Sequence, residues 1–161
     1  MTENRKVKRG PVGVIGAGTM GIGIVQVAAT AGHTVYLFDT DDDLFAKAIE
    51  SLKATFKKLT EKGKVSADEA ADIINRVQFA ENLSEFHDCE LVIEAIVEDL
   101  SIKQKVFREV EAATKPTCLL ASNTSSLSIT SIAGACKDPG RVLGLHFFNP
   151  APLMPLVEVI P

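Results

Sequence analysis

Residues 12–39 read VGVIGAGTMGIGIVQVAATAGHTVYLFD, and this stretch decides the fold. Val12 to Ile15 is a short β-branched run, Met20 to Ala31 an apolar stretch of helical length, and Val35 to Phe38 a second short run of strand formers. Strand, helix, strand in that order makes a parallel pair joined by a right-handed crossover. From Ile22 to Ala29 the chain is apolar nearly all round, as a helix pressed on a sheet must be. Gly32 stands where a glycine would end that helix.

Between the first strand and the helix lies GAGTMG, in which Gly16, Gly18 and Gly21 satisfy G-x-G-x-x-G. The pattern alone is weak; its place after a strand and at the opening of a helix makes it a dinucleotide fingerprint. Gly16 allows the tight turn, Gly18 lets backbone N–H groups approach a pyrophosphate, and Gly21 allows the helix to pack closely on the strand. Thr19 and Met20 lie within the same turn and are cofactor-contact candidates with the three glycines. The phosphate charge would sit at the helix's positive end. Asp39 ends the second strand, eighteen residues beyond Gly21, where a carboxylate would accept from ribose hydroxyls. Asp41, Asp42 and Asp43 follow with no arginine nearby, so a 2′-phosphate would be repelled and NAD is the expected cofactor rather than NADP.

Outward from this core the alternation continues. A helix is expected from about Leu44 to Lys62, with Ile49, Leu52, Phe56 and Leu59 facing one way and lysines the other. Ser66 and Glu69 form a capping box ahead of a helix near Ala67 to Arg76. Strands recur near Val77 to Ala80, Leu91 to Ala95, Cys118 to Ala121, Val142 to Phe147 and Val157 to Ile160, with a helix near Leu100 to Ala113. The expected fold is a doubly wound, mostly parallel Rossmann-type α/β sheet, carrying a projecting pair of helices between its second and third strands. The domain is expected over 11–161, preceded by a flexible segment over 1–10.

Composition restricts the function. The chain has 161 residues, a net charge of −4, one Tyr and no Trp, which argues against nucleic acid as a partner. No apolar run approaches the roughly 20 residues of a membrane span, so no membrane partner is expected. The basic start, MTENRKVKRG, leads into glycine-interrupted residues rather than a secretory core. Cys89, Cys118 and Cys136 are odd in number and lack metal-ligand spacing, which favours packed thiols in a reducing compartment and no bound metal. A cytoplasmic protein is expected, the mitochondrial matrix less so for want of a transit peptide.

For hydride to leave an alcohol carbon a base must take the hydroxyl proton, and imidazole, with an ordinary pKa of about 6.5, suits neutral pH. His33 precedes the second strand and His87 lies in the polar loop FHDC, and both read as surface residues. His146 ends the apolar strand VLGLHFF, at the carboxyl edge where open α/β sheets bind ligands. If residues 149–156 turn the chain back, Val157 to Ile160 becomes a strand that sets Glu158 beside His146. A carboxylate there would fix the imidazole tautomer and stabilise its protonated form. On spacing alone, a core histidine with an unrelated edge glutamate is the favoured reading.

GAGTMG, VIEAIVED at 92–99, SNTSSL at 122–127 and HFFNPAPLMPLVEV at 146–159, in this order, resemble the NAD-binding domain of the 3-hydroxyacyl-CoA dehydrogenases. The resemblance implies NAD-dependent interconversion of a (3S)-3-hydroxyacyl-CoA and its 3-oxoacyl-CoA, a reaction of fatty acid metabolism. It makes His146 the base and Glu158 the residue that orients it, and places Ser125 and Asn149 at the reacting centre. It also implies cofactor contacts at Glu98, read as the end of a strand, at Lys103 in the next helix, and at Ser125. On the residues alone Glu98 and Lys103 read as a solvated surface pair. Coenzyme A contacts are implied at Ser51 and Lys58, and at Ser125. Relatives of this kind continue into a mostly helical second domain that closes the acyl pocket and makes most of a homodimer contact. The chain therefore reads as an isolated cofactor domain, expected to bind NAD and to turn over weakly. A non-catalytic NAD-binding module and a sugar-acid dehydrogenase on the same scaffold are the alternatives.

Overall fold

The structure is a computed structural model that describes residues 9–161, so most of the expected flexible segment, residues 1–8, lies outside the described residues. Seven strands form one sheet in the order β3-β2-β1-β4-β5-β6-β7. They are β1 (Val12–Ile15), β2 (Val35–Phe38), β3 (Val77–Phe79), β4 (Leu91–Glu94), β5 (Leu119–Ser122), β6 (Val142–Phe147) and β7 (Val157–Ile160). The first six run parallel, and β7 returns antiparallel along β6. The order reverses between β1 and β4, which opens a crevice beyond their carboxyl ends.

The decisive stretch folds as its pattern demands. Helix α1 (Thr19–Thr30) follows β1 directly and buries Ile24, Val25 and Ala29 against the sheet. It ends in a Schellman motif: Gly32, at φ +94°, donates its N–H to the Ala29 carbonyl, and His33 donates to Ala28. The Arg76 guanidinium donates to the same Ala29 carbonyl at 3.1 Å, tying the end of the inserted helices to the end of α1.

That insertion is the expected helix pair, α2 (Asp42–Glu61) and α3 (Ala67–Asn75). Ser66 caps α3 by accepting from the Glu69 N–H at 3.1 Å. The pair is anchored rather than free, because Leu52, Phe56 and Ile73 sink into the core that holds Val14, Val35 and Leu37. On the other face of the sheet, α4 (Leu100–Ala113) and the short α5 (Ile129–Ala133) enclose a second core around Phe86, Phe107 and Ile132. Sequence periodicity gives no sign of α5, which is barely more than one turn and is set by Ser128 accepting from the Ser131 N–H.

All three cysteines are buried and free. Burial pushes the Cys89 thiol up to about 12 and raises the other two, so all three stay protonated and inert at neutral pH. Among the described residues no helix is long and apolar enough to cross a membrane, and no cluster of metal-ligating side chains occurs.

Candidate active site

The glycine turn is built for a close approach. Gly16 adopts φ +104°, a left-handed backbone, and a Cβ there would stand 2.6 Å from the Ala95 carbonyl oxygen. At Gly21 a Cβ would lie 1.8 Å from the Gly16 carbonyl, so only glycine lets α1 rise straight from the turn. Gly18 differs, since nothing lies within 4 Å of where its Cβ would be. It is the exposed N-cap of α1 and caps the helix with no side chain, leaving the first-turn N–H groups for an anion. Thr19 is exposed and Met20 half-buried beside it.

Asp39 does something the sequence did not announce. One of its oxygens accepts from the Ala17 N–H at 2.7 Å and the other from the Asp41 N–H at 3.1 Å. The carboxylate thereby locks the glycine turn to the end of β2, and Asp39 still lines the crevice. Gly16, Gly18 and Asp39 line one cleft of about 390 Å³, together with Leu44, Ala95 and Ile96. A second cleft of about 360 Å³ shares Ala95 and Ile96 with it and is lined by Met20, Glu98, Lys103, Ser125, His146 and Asn149. The two are contiguous across the switch point, as the two halves of a dinucleotide require, so the residues present fit NAD.

His146 stands on β6 opposite Glu158 on β7, and its Nδ1 lies 2.7 Å from a Glu158 carboxylate oxygen. The carboxylate can only accept here, so in the neutral imidazole Nδ1 carries the proton and Nε2 the lone pair. The two are not equally covered: the histidine side chain is 19% exposed and the glutamate side chain 53%. Phe148 packs its ring 4.7 Å from the imidazole centroid. His33 donates from Nδ1 to the Gly10 carbonyl, and His87 lies exposed beside Asp88; neither lines the clefts.

The reading of Glu98 and Lys103 as a solvated pair holds for Glu98, which is exposed, and is overturned for Lys103. Lys103 is fully buried, its ammonium 2.5 Å from a Glu94 oxygen and 3.2 Å from Glu98. Nor does Glu98 end a strand: β4 stops at Glu94, and Glu98 lies in the following turn. The reason is tertiary, because α4 starts one residue after Asp99 and its first turn points Lys103 back under the end of β4. Glu98 in turn accepts from the Thr124 hydroxyl, from the Ser125 N–H at 3.2 Å and from the Ser126 hydroxyl at 3.3 Å. Burial works to raise the Glu98 carboxyl, but the hydrogen bonds from Thr124 and Lys103 and the Lys103 charge outweigh it and hold it below its ordinary value. Asn123 closes the frame by accepting from the Phe147 N–H at 2.8 Å, so the Ser125 turn is fastened to the strand that carries His146.

Ser125 is exposed at the cleft wall, and Asn149 is exposed on the lip just past β6. Ser51 and Lys58 are placed elsewhere, exposed on α2 and lining neither cleft.

Comparison with known proteins settles which family this groove belongs to. The family model described as 3-hydroxyacyl-CoA dehydrogenase, NAD binding domain, matches residues 11–161. The chain belongs to that family. A protein of Deinococcus radiodurans named as a probable 3-hydroxybutyryl-CoA dehydrogenase is 45% identical over 148 residues, covering 92% of this chain and 53% of that protein. The 3-hydroxybutyryl-CoA dehydrogenase of Clostridioides difficile is 46% identical over 147 residues, covering 91% and 52% respectively. A crystal structure of 3-hydroxybutyryl-CoA dehydrogenase from Escherichia coli K12 superposes with a TM-score of 0.92 at 42% identity, over 95% of this chain and 32% of that one. The chain thus spans about half the length of the curated relatives it matches. As a member of the 3-hydroxyacyl-CoA dehydrogenase family it carries the NAD-binding domain, with the glycine turn, Asp39 and the two joined clefts in place.

Proposed function

We propose that this chain forms the cofactor-binding and proton-transferring part of an NAD-dependent dehydrogenase that interconverts a (3S)-3-hydroxyacyl-CoA and the 3-oxoacyl-CoA. The observation that carries the proposal is the His146–Glu158 hydrogen bond of 2.7 Å at the wall of a cleft contiguous with the glycine turn. The relatives named for 3-hydroxybutyryl-CoA support the choice of substrate class.

Bound NAD supplies the hydride acceptor. The free N–H groups after Gly18 would hold its pyrophosphate, with Thr19 and Met20 alongside, and Asp39 would hold the adenosine ribose. Glu158 fixes Nδ1–H, so Nε2 of His146 faces the 3-hydroxyl as a base. As hydride leaves C3, Nε2 takes the hydroxyl proton, and the adjacent carboxylate stabilises the imidazolium. Ser125 and Asn149 hold the reacting oxygen and the nicotinamide side of the site. In the reducing direction the same imidazolium returns its proton to the oxygen. Base catalysis of this kind contributes about 10² to 10⁴-fold, and positioning in the groove supplies much of the rest.

The coenzyme A moiety is assigned to the lysine face of α2, with Ser51 and Lys58 as contacts; since neither lines the clefts, they would meet the long carrier and not the reacting carbon. The helical second domain of the relatives would complete the acyl pocket and a homodimer, and the protein would act in the cytoplasm. NADH oxidation with acetoacetyl-CoA tests the whole reading, measured on this chain and on this chain joined to a relative's second domain. Turnover that rises sharply in the joined form supports it, and no turnover in either form contradicts it.

A further inference from the structure

Glu94 is the one fully buried carboxylate among the described residues, with 1% of its surface exposed. It ends β4, one residue before Ala95, which lines both clefts, and its hydrogen-bond partners come from the turn after β4, from α4 and from β5. One oxygen accepts from the Ile96 N–H at 2.7 Å and from the Lys103 ammonium at 2.5 Å; the other accepts from the Ser122 hydroxyl at 2.7 Å. A buried carboxylate is tolerated only when charge and hydrogen bonds offset its lost hydration, and here both are supplied. Lys103 is equally buried and touches two carboxylates, Glu94 more closely than Glu98. The three side chains together hold two negative charges and one positive, leaving one negative charge at the cleft floor.

We propose that Glu94 is a positioning residue that shares the Lys103 charge, so that Glu98, 3.2 Å from the same ammonium, is only partly compensated and leaves a net negative charge at the nicotinamide end of the cleft. The nicotinamide ring is cationic when oxidised and neutral when reduced, and it must lie near His146 for hydride to leave the carbon whose hydroxyl gives up its proton. Glu98 and Lys103 line that same cleft. A net negative charge there favours NAD⁺ over NADH, because electrostatic interaction in a partly dry site is stronger than in water. Without Glu94, Lys103 would have Glu98 as its only carboxylate partner and the bias would disappear. This inference rests on the proposed NAD site and adds a residue that sets which redox form the site prefers.

The test is a charge series in the full chain, read by NADH fluorescence titration with NAD⁺ as competitor, so that no turnover is needed. Glu94→Gln, near-isosteric and leaving the cluster neutral, is expected to raise the ratio of the NAD⁺ to the NADH dissociation constant about fivefold to tenfold. Lys103→Met, which removes the cation beside Glu98, is expected to lower the ratio. The double variant Glu94→Gln/Lys103→Met restores a single negative charge and is expected to return the ratio toward that of the parent. A role in stability alone would weaken both redox forms together and would not follow this order. The same ratio in every variant that folds overturns the inference while leaving the NAD site intact. Failure of the parent chain to bind NADH overturns both. Should Glu94→Gln not fold, the double variant and Lys103→Met decide between the same two results.

Discussion

The two ends of the groove are made in different ways. At the glycine turn every support is internal: Val14, Val25 and Leu37 are fully buried, Gly21 touches the Gly16 carbonyl, and Asp39 ties the turn to β2. At the histidine end the support is an edge strand. All four residues of β7 are exposed, Val159 at 63%, and Leu153, Met154 and Leu156 before it are exposed as well. The cofactor end is a rigid product of core packing, whereas the histidine end depends on a hairpin with one covered face. Binding and chemistry should therefore respond to different mutations.

The sharpest way to break that comparison is His146→Gln. Turnover is expected to fall about 10³-fold, within the usual span for a lost general base, while NADH affinity stays within about twofold. Equal loss of both, by steady-state kinetics and fluorescence titration, would mean that the two ends are not separable. Gly21→Ala should do the reverse of a catalytic change. Its Cβ meets backbone at 1.8 Å, so the helix must move, and about 3 kcal/mol or more of stability should be lost in urea unfolding. Gly18→Ala sharpens the point with the same added methyl group. Nothing lies within 4 Å of it, so unfolding should be unchanged to within about 0.5 kcal/mol, while NADH binding weakens about tenfold because the methyl occupies the phosphate approach. Smallest of all is Val159→Thr on the outer face of the edge strand, expected to shift stability by less than about 0.5 kcal/mol by thermal melting. A large loss there would show that β7 is supported more firmly than its exposure indicates.

Much of the fold was legible because it rests on periodicity. The βαβ order, the glycine turn, the helix pair and a returning strand at Val157 all follow from local pattern, and the strand limits differ from the expected ones by a residue or so. The approach of Glu158 to His146 was legible only conditionally, since it required residues 149–156 to turn the chain back. Lys103 was misread for a physical reason: a lysine near the start of an amphipathic helix is normally solvated, and what buries this one is the end of a strand nine residues earlier in sequence. Glu94 was hidden in the same way, as one polar residue at the end of an apolar strand. Asp39 carried a ribose reading, and its grip on Ala17 needed the distance between two elements, which no pattern encodes. Ser51 and Lys58 show the converse, since a lysine-rich helix face does not reveal what it meets.

The central claim is that an edge-strand carboxylate holds His146 with its Nε2 lone pair turned to the groove. Nitrogen NMR of the His146 ring in the neutral protein tests this most directly. The account predicts a protonated Nδ1 and an unprotonated Nε2 in the parent, with that preference lost in Glu158→Gln; a ring protonated at Nε2, or one indifferent to the substitution, would contradict it.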